Sequence, residues 1–260
     1  MKIWQKITRR LTRRSTDPHT PGKADLHVHT DFSDGLSSVM QTLDWVARHT
    51  DMDVIAITDH DTLEGSRLAQ TLARKYLMPF EVIVGVEVST ADGHLLALFV
   101  EEPIPAGLSI EETTAHVAAQ GGMSILPHPF SRTGLMMVAE RYQKAPERVH
   151  DLPLAAVESF NGALLMGPCN SLSPGFAAQL GKPAVAGSDA HVHYAVGSSF
   201  TTFPGRTAQA LRQALHGGTV RPVGHYWSPQ AYFMTGVKWT VLQRHLLPLP
   251  RFSLGLPRIR

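Results

Sequence analysis

The stretch Ala24-Asp-Leu-His27-Val-His29 ends a short apolar run in two histidines separated by one residue. In extended chain, residues two apart share a face, so the two imidazoles converge. The same event recurs down the chain. A second apolar β-branched run, Val54 to Thr58, leads into Asp59-His60-Asp61, and a third, Glu81 to Glu87, ends in Gly85-Val-Glu87. After the turn Ala91-Asp92-Gly93 comes His94 to Val100; Met123 to Leu126 runs into Pro127-His128-Pro129. Ala155 to Phe160 carries Glu158 towards Asn161, and Ala184 to Ala186 runs into Gly187-Ser188-Asp189-Ala-His191. Asp189 and His191 share a face as well, provided that the strand continues through them.

Helical segments fall between these runs. Ser37 is the expected cap of a helix to about His49, with Val39, Leu43, Val46 and Ala47 on one face. Further helices are expected over 62–76, after the capping box Ser109-x-x-Glu112, before Gly181, over 207–216 and from Ser228-Pro229 to about Leu247. Alternating strands and helices predict a parallel sheet with crossover helices. Strand ends rich in His, Asp and Glu are where barrel enzymes build their sites.

One strand-end histidine is more often a hydrogen-bonded polar residue than a ligand. Two paired sets and three further strand-end groups are another matter, because burying so many without a cation leaves costly unpaired polar atoms. The candidate metal ligands are His27, His29, Asp34, His60, Glu87, His94, His128, Asp189 and His191. Nitrogen and oxygen donors without thiolate suit Mn, Fe or Zn alike. Asp59 and Asp61 flank His60 and are read as groups that orient it, with Asp61-Thr62 read equally as a cap of the following helix.

Composition agrees with a folded, cation-binding body. The 260 residues are 43% hydrophobic, enough for one barrel or two small domains, and the lone Cys169 excludes an internal disulfide. Residues 1–22 carry six Lys/Arg and one Asp; residues 23–225 carry 13 Lys/Arg and 21 Asp/Glu; residues 226–260 carry five Lys/Arg and no acid. Charge divides the chain into a basic tail and linker (1–22), an acidic body (23–225) and a basic, aromatic extension (226–260) with Trp227, Tyr232 and Trp239. The ends are read either as solvated tails or as a peripheral contact with membrane or nucleic acid, and the extension also as a helix that packs on the body or on a second subunit. No secretory pattern and no run of 18 apolar residues is found, which gives a cytoplasmic expectation with membrane contact at most peripheral.

The elements His27-Val-His29-Thr-x-x-Ser33-Asp34-Gly35, Ile57-Thr-Asp-His60-Asp-Thr, Gly85-x-Glu87, Pro127-His128-Pro129 and Gly187-Ser-Asp189-Ala-His191 resemble, in order, the motifs of the PHP (polymerase and histidinol phosphatase) family. The resemblance spans about residues 24–225 and implies an α/β fold, a distorted (β/α)7 TIM-like barrel. It also implies two or three divalent ions. His27, His29, Glu87 and Asp189 would hold the first. Glu87, His94 and His128 would hold the second, and Asp34, His60 and His191 the third. The implied activity is a stand-alone metal-dependent phosphoesterase, with a hydroxide bridging two metals as nucleophile. The expected substrate is a small phosphorylated molecule, a nucleotide or a short RNA or DNA. An amidohydrolase-type C–N bond hydrolase and a non-catalytic metal-stabilised tethering module are the competing readings. Arg132, Asp189 and His191 are expected to act on the substrate, Arg132 as a bidentate phosphate clamp. Arg132→Ala is expected to lower kcat/KM for a phosphoester by about 100-fold; unchanged steady-state kinetics would remove the clamp.

Overall fold

The computed structural model describes residues 20–131, 147–163 and 166–236. Nine strands form one sheet: β1 (Gly22–Asp25), β2 (Val54–Ile57), β3 (Glu81–Thr90), β4 (Gly93–Leu98), β5 (Met123–Leu126), β6 (Leu154–Asn161), β7 (Ala184–Gly187), β8 (Phe200–Phe203) and β9 (Arg221–Val223). Their order is β7-β6-β5-β4-β3-β2-β1-β8-β9. Around them lie α1 (Val39–His49), α2 (Glu64–Lys75), α3 (Ile110–Ala119), the single turn α4 (Glu147–His150), α5 (Gly167–Gln179) and α6 (Ala208–His216).

The sheet is mixed: it has the expected parallel strands with crossover helices, and the turn read at Ala91-Asp92-Gly93 adds an antiparallel strand. β1-β2-β3 and β5-β6-β7 are parallel, but β4 is antiparallel to both β3 and β5, and β8 is antiparallel to β1 and β9. Connection length is the reason. Only Ala91 and Asp92 separate β3 from β4, too few for a crossover helix, so the chain must turn back on itself. Gly93 supplies the positive φ of 120° at that turn. Short β9 was not foreseen: its three residues include Pro222 at the sheet's edge, where a missing N–H is tolerated.

Alternate residues of the strands meet inside the sheet. Ala24 and Leu26, Val54 and Ala56, Leu96 and Leu98, and Met123 and Ile125 form one buried cluster, joined by Phe203 and by Leu211 and Leu215 of α6. The opposite faces of β1 and β2 pack outward on α1 and α2, in a cluster that includes Val28, Leu43, Val46, Ile55 and Ile57. The first strand was expected to run to His29, and its ladder stops at Asp25; beyond that, only an isolated parallel bridge joins Val28 to Ala190. That bridge brings β1 against the exit of β7 and nearly closes the sheet into a distorted TIM-like barrel. The Thr201 hydroxyl helps to close it, accepting from Ala186 N and donating to Ala186 O, both at 2.9 Å.

Helix starts follow local chemistry. Ser38, not Ser37, caps α1 in a capping box with Gln41. Ser37 is diverted because its hydroxyl accepts from His193 N at 3.0 Å and meets the His193 ring at 2.9 Å. Helix α2 starts without a side-chain cap, and Asp61 instead accepts from Ser89 N at 2.7 Å, holding the end of β3. The capping box at Ser109 and Glu112 is present as read.

The basic, aromatic extension begins inside the packed structure. Trp227 and Ala231 are buried, Trp227 Nε1 donates to Ser188 O at 2.7 Å, and Tyr232 Oη donates to Gly162 O at 3.2 Å. Backbone over 229–236 is helical; the remainder of that expected helix, with Trp239, lies outside the described residues. Among the described residues no helix is long and apolar enough to cross a membrane.

Thr201→Val keeps the volume but strips both closure bonds from Ala186. It is expected to lower the unfolding free energy by about 1–3 kcal/mol, measured by urea denaturation at matched protein concentration.

Candidate metal centre

Each predicted ligand lies among the described residues. His27 and His29 follow β1, His60 follows β2, Glu87 lies in β3, His94 in β4, His128 follows β5, and Asp189 and His191 follow β7. The isolated bridge between His60 and Glu87, with Asp61 N donating to Glu87 O at 3.0 Å, draws the end of β2 towards β3. The expectation that Asp189 and His191 converge along a continuing strand is corrected. β7 ends at Gly187, and Asp189 takes a left-handed φ of 51°. That turn still leaves His191 Nδ1 at 3.6 Å from Asp189 Oδ1.

Glu87 is the centre of the arrangement. Its Oε1 is 2.8 Å from His94 Nδ1 and 3.1 Å from His128 Nε2. Its Oε2 is 3.0 Å from His27 Nε2, 3.1 Å from His29 Nε2 and 3.7 Å from His60 Nε2. Asp189 Oδ1 lies 3.2 Å from His29 Nε2 and 3.4 Å from His27 Nε2. Asp34 Oδ2 is 3.0 Å from His191 Nε2 and 3.8 Å from His60 Nε2. Four overlapping groups of donors result: His27, Glu87 and His128; His27, His29 and Asp189; His29, His60 and Glu87; His29, Asp34 and His191.

The donor set fits divalent cations, on two grounds. First, His29 Nε2 is buried and close to two carboxylate oxygens, yet among the described residues it has no partner in hydrogen-bonding geometry. An unpaired polar atom of this kind is costly in a folded chain, and a cation in the cage would satisfy it. Second, the electrostatics call for positive charge. Burial raises the Glu87 and Asp189 carboxyls, but the imidazoles around them, His27 foremost, reverse this and hold both well below the ordinary range. Burial likewise opposes charge on His29, but Asp189 and Glu87 outweigh it and push the imidazole up to about 10.

Burial is uneven across the cage. His27, His29, Glu87, His94, His128 and Asp189 are buried, whereas Asp34 is 43% exposed and His60 and His191 about one-fifth. The Asp34 side is therefore the open one among the described residues.

Three supporting carboxylates lie behind the ligands. Asp59 accepts from Thr30 N (2.6 Å), Thr30 Oγ1 (2.7 Å) and Ser33 Oγ (2.8 Å), which fixes the loop that presents Asp34. The reading of Asp59 as orienting its neighbour His60 is thus corrected: its bonds go to the Asp34 loop. Asp25, which the sequence did not single out, accepts from Ser188 N at 3.0 Å and Gly197 N at 2.8 Å; burial pushes its carboxyl up to about 6, against these bonds. Glu158, left undecided from sequence, lies against His27 Nδ1 at 3.0 Å. The signal that could have found Asp25 is its place two residues before His27, on the same strand face. Arg132 lies outside the described residues. His193, two residues beyond His191, meets Ser37 and packs edge-on to Tyr194.

A family model described as the PHP domain matches residues 25–157, half of the chain, and a second, described as PHP-associated, matches residues 168–220. This chain belongs to the PHP family. An uncharacterised protein of Methanocaldococcus jannaschii is 35% identical over 162 residues, covering 58% of this chain and 88% of that one. A phosphoribosyl 1,2-cyclic phosphate 1,2-diphosphodiesterase of Eggerthella lenta is 38% identical over 88 residues, 32% of each chain. Among solved structures, a two-domain Bacteroides vulgatus protein containing a predicted PHP-like metal-dependent phosphoesterase superposes with a TM-score of 0.65 at 20% identity, covering 82% of this PHP chain and 69% of its own. The fold is thus that of PHP-like metal-dependent phosphoesterases.

Glu87→Gln removes the charge shared by five imidazoles of this PHP chain. Bound metal measured by mass spectrometry after gel filtration is expected to fall by about tenfold or more, with the circular dichroism spectrum retained.

Proposed function

We propose that this PHP chain is a metal-dependent hydrolase of phosphomonoesters or phosphodiesters of nucleotides, short oligonucleotides or small metabolites. The observation that carries the reading is the division of Glu87: one carboxylate oxygen faces His94 and His128, and the other faces His27, His29 and His60. A carboxylate shared in this way can bridge two cations.

His27, His29, Glu87 and Asp189 would hold one ion, Glu87, His94 and His128 a second, and Asp34, His60 and His191 a third. When bound, such ions lower the pKa of water towards neutrality and offset the charge on a phosphate. The chain's own part is positional. Buried imidazoles exclude bulk water from the Glu87 side, while Asp34, His60 and His191, more exposed, line the side from which an ester can approach. Asp189 and His191 stand next to both regions and are the residues we assign to contact with the reacting ester. Arg132, four residues beyond His128, remains our assignment for the phosphate clamp.

A small substrate is favoured over an extended nucleic acid because the body between residues 23 and 225 carries eight more acidic than basic side chains. The named substrate of the Eggerthella lenta relative, a cyclic phosphate, is a small diester and supports keeping diesters in the set. Contact of the basic ends with a membrane surface, and a cytoplasmic setting, are part of the same proposal.

The test is hydrolysis of nitrophenyl phosphate, bis-nitrophenyl phosphate and a nucleotide panel by chain reconstituted with Mn, Fe or Zn. Turnover of a phosphoester is expected, lost on chelation and regained on adding metal back. Turnover of amides or lactones in its place would favour the amidohydrolase chemistry.

A further inference from the structure

Glu158 is buried in β6 behind the cage and lies against none of its open side. Its two oxygens meet three nitrogen groups. Oε1 is 3.0 Å from His27 Nδ1; Oε2 accepts from His128 N at 3.0 Å and from Asn161 Nδ2 at 3.0 Å. The same Asn161 amide nitrogen also donates to Asp189 Oδ2 at 3.0 Å. One carboxylate therefore reaches His27 directly, His128 through its backbone, and Asp189 through Asn161. The space for it is made by Gly187, where a side-chain Cβ would stand 2.7 Å from Glu158 Oε1 and 2.7 Å from the His27 Cβ.

We propose that Glu158, with Asn161, is a positioning residue that fixes the tautomer of His27 and the places of His128 and Asp189, and so sets affinity for the inner cations only. This rests on the metal-dependent reading above.

The chemistry turns on donors and acceptors. A carboxylate accepts at both oxygens, so it can take an N–H from His27 Nδ1, from His128 and from Asn161 together. Holding the proton on His27 Nδ1 leaves Nε2, the nitrogen that faces Glu87 and Asp189, with its lone pair free for a cation. A glutamine of the same shape cannot do this. With its oxygen towards His27, its NH2 meets two donors, His128 N and Asn161 Nδ2. Turned over, its NH2 faces His27 Nδ1 and forces the proton onto Nε2, which then cannot ligate. Asp34, His60 and His191 have no bond to Glu158 or Asn161 among the described residues, and the Asp34 loop is held separately by Asp59.

The experiment is a competition titration of full-length, metal-stripped chain with Mn2+ against a fluorescent chelator, on wild type, Glu158→Gln, Glu158→Asp and Asn161→Ala, with thermal melts of each. Wild type is expected to bind more than one ion per chain. Glu158→Gln is expected to weaken the tightest class about 10- to 100-fold, leave the weakest class within about twofold, and keep a cooperative melt. Glu158→Asp keeps the acceptors and is expected to recover part of the loss; Asn161→Ala is expected to show a smaller loss in the same class. Wild-type affinities in Glu158→Gln, or equal loss in every class, would overturn the proposal. If Glu158→Gln does not fold, Glu158→Asp and Asn161→Ala decide it: unchanged tight binding in both would overturn it. Failure of wild-type chain to bind Mn2+ at all would instead remove the metal-dependent reading on which it stands.

Discussion

The closing contact between the first strand and the exit of the seventh carries the rest of the structure. Val28 bridges Ala190, His29 N donates to Ala190 O at 2.9 Å, and Asp25 ties down Ser188 and Gly197. The contact joins the exit of β1 to the exit of β7, with five strands between them in the sheet order, so that His27 and His29 stand within 3.4 Å of Asp189. Gly187 lets this happen, because any side chain there would run into His27 and Glu158.

Around that seam the molecule concentrates costs that a purely structural protein would avoid. Buried imidazoles and carboxylates lie side by side, His29 has a nitrogen without a partner, and Asp189 and His128 adopt positive φ. Burial of charge is unfavourable unless each group is paired. Strained backbone persists where surrounding structure holds it and where function uses it. Both features coincide at one mouth of the barrel, which is the pattern expected of a site shaped for ligands rather than for stability.

The described interactions divide the cage into an enclosed part and an open part. Glu158 and Asn161 support the enclosed ligands, and Asp59 supports the loop with Asp34. Different carboxylates thus hold groups that would meet different ions. The open part is also where Trp227, from the extension, has its ring centred 6.3 Å from the His191 ring, so the start of the extension packs on the body near the mouth.

Much of the site was legible because strand-end placement follows from chain periodicity alone: His27, His29, His60, Glu87, His128 and Asp189 each close an apolar run. The alternation of strands and helices marked a sheet with crossover helices, and the barrel was implied only by the resemblance of the motifs to the PHP family. What the sequence by itself could not settle depended on contacts between distant residues. The two-residue β3–β4 connection, legible as the turn Ala91-Asp92-Gly93, reverses the chain, but that β4 also pairs antiparallel with β5 was decided by tertiary packing. Which serine caps α1 depended on His193, 156 residues from Ser37. The roles of Glu158 and Asn161 depended on which ligands happen to lie behind them, and Asp25 gained its role only when β7 folded back on it. Local pattern determines which side chains end a strand, because that is a matter of neighbours in the chain; only tertiary packing decides which of them share an oxygen, because that is a matter of distance.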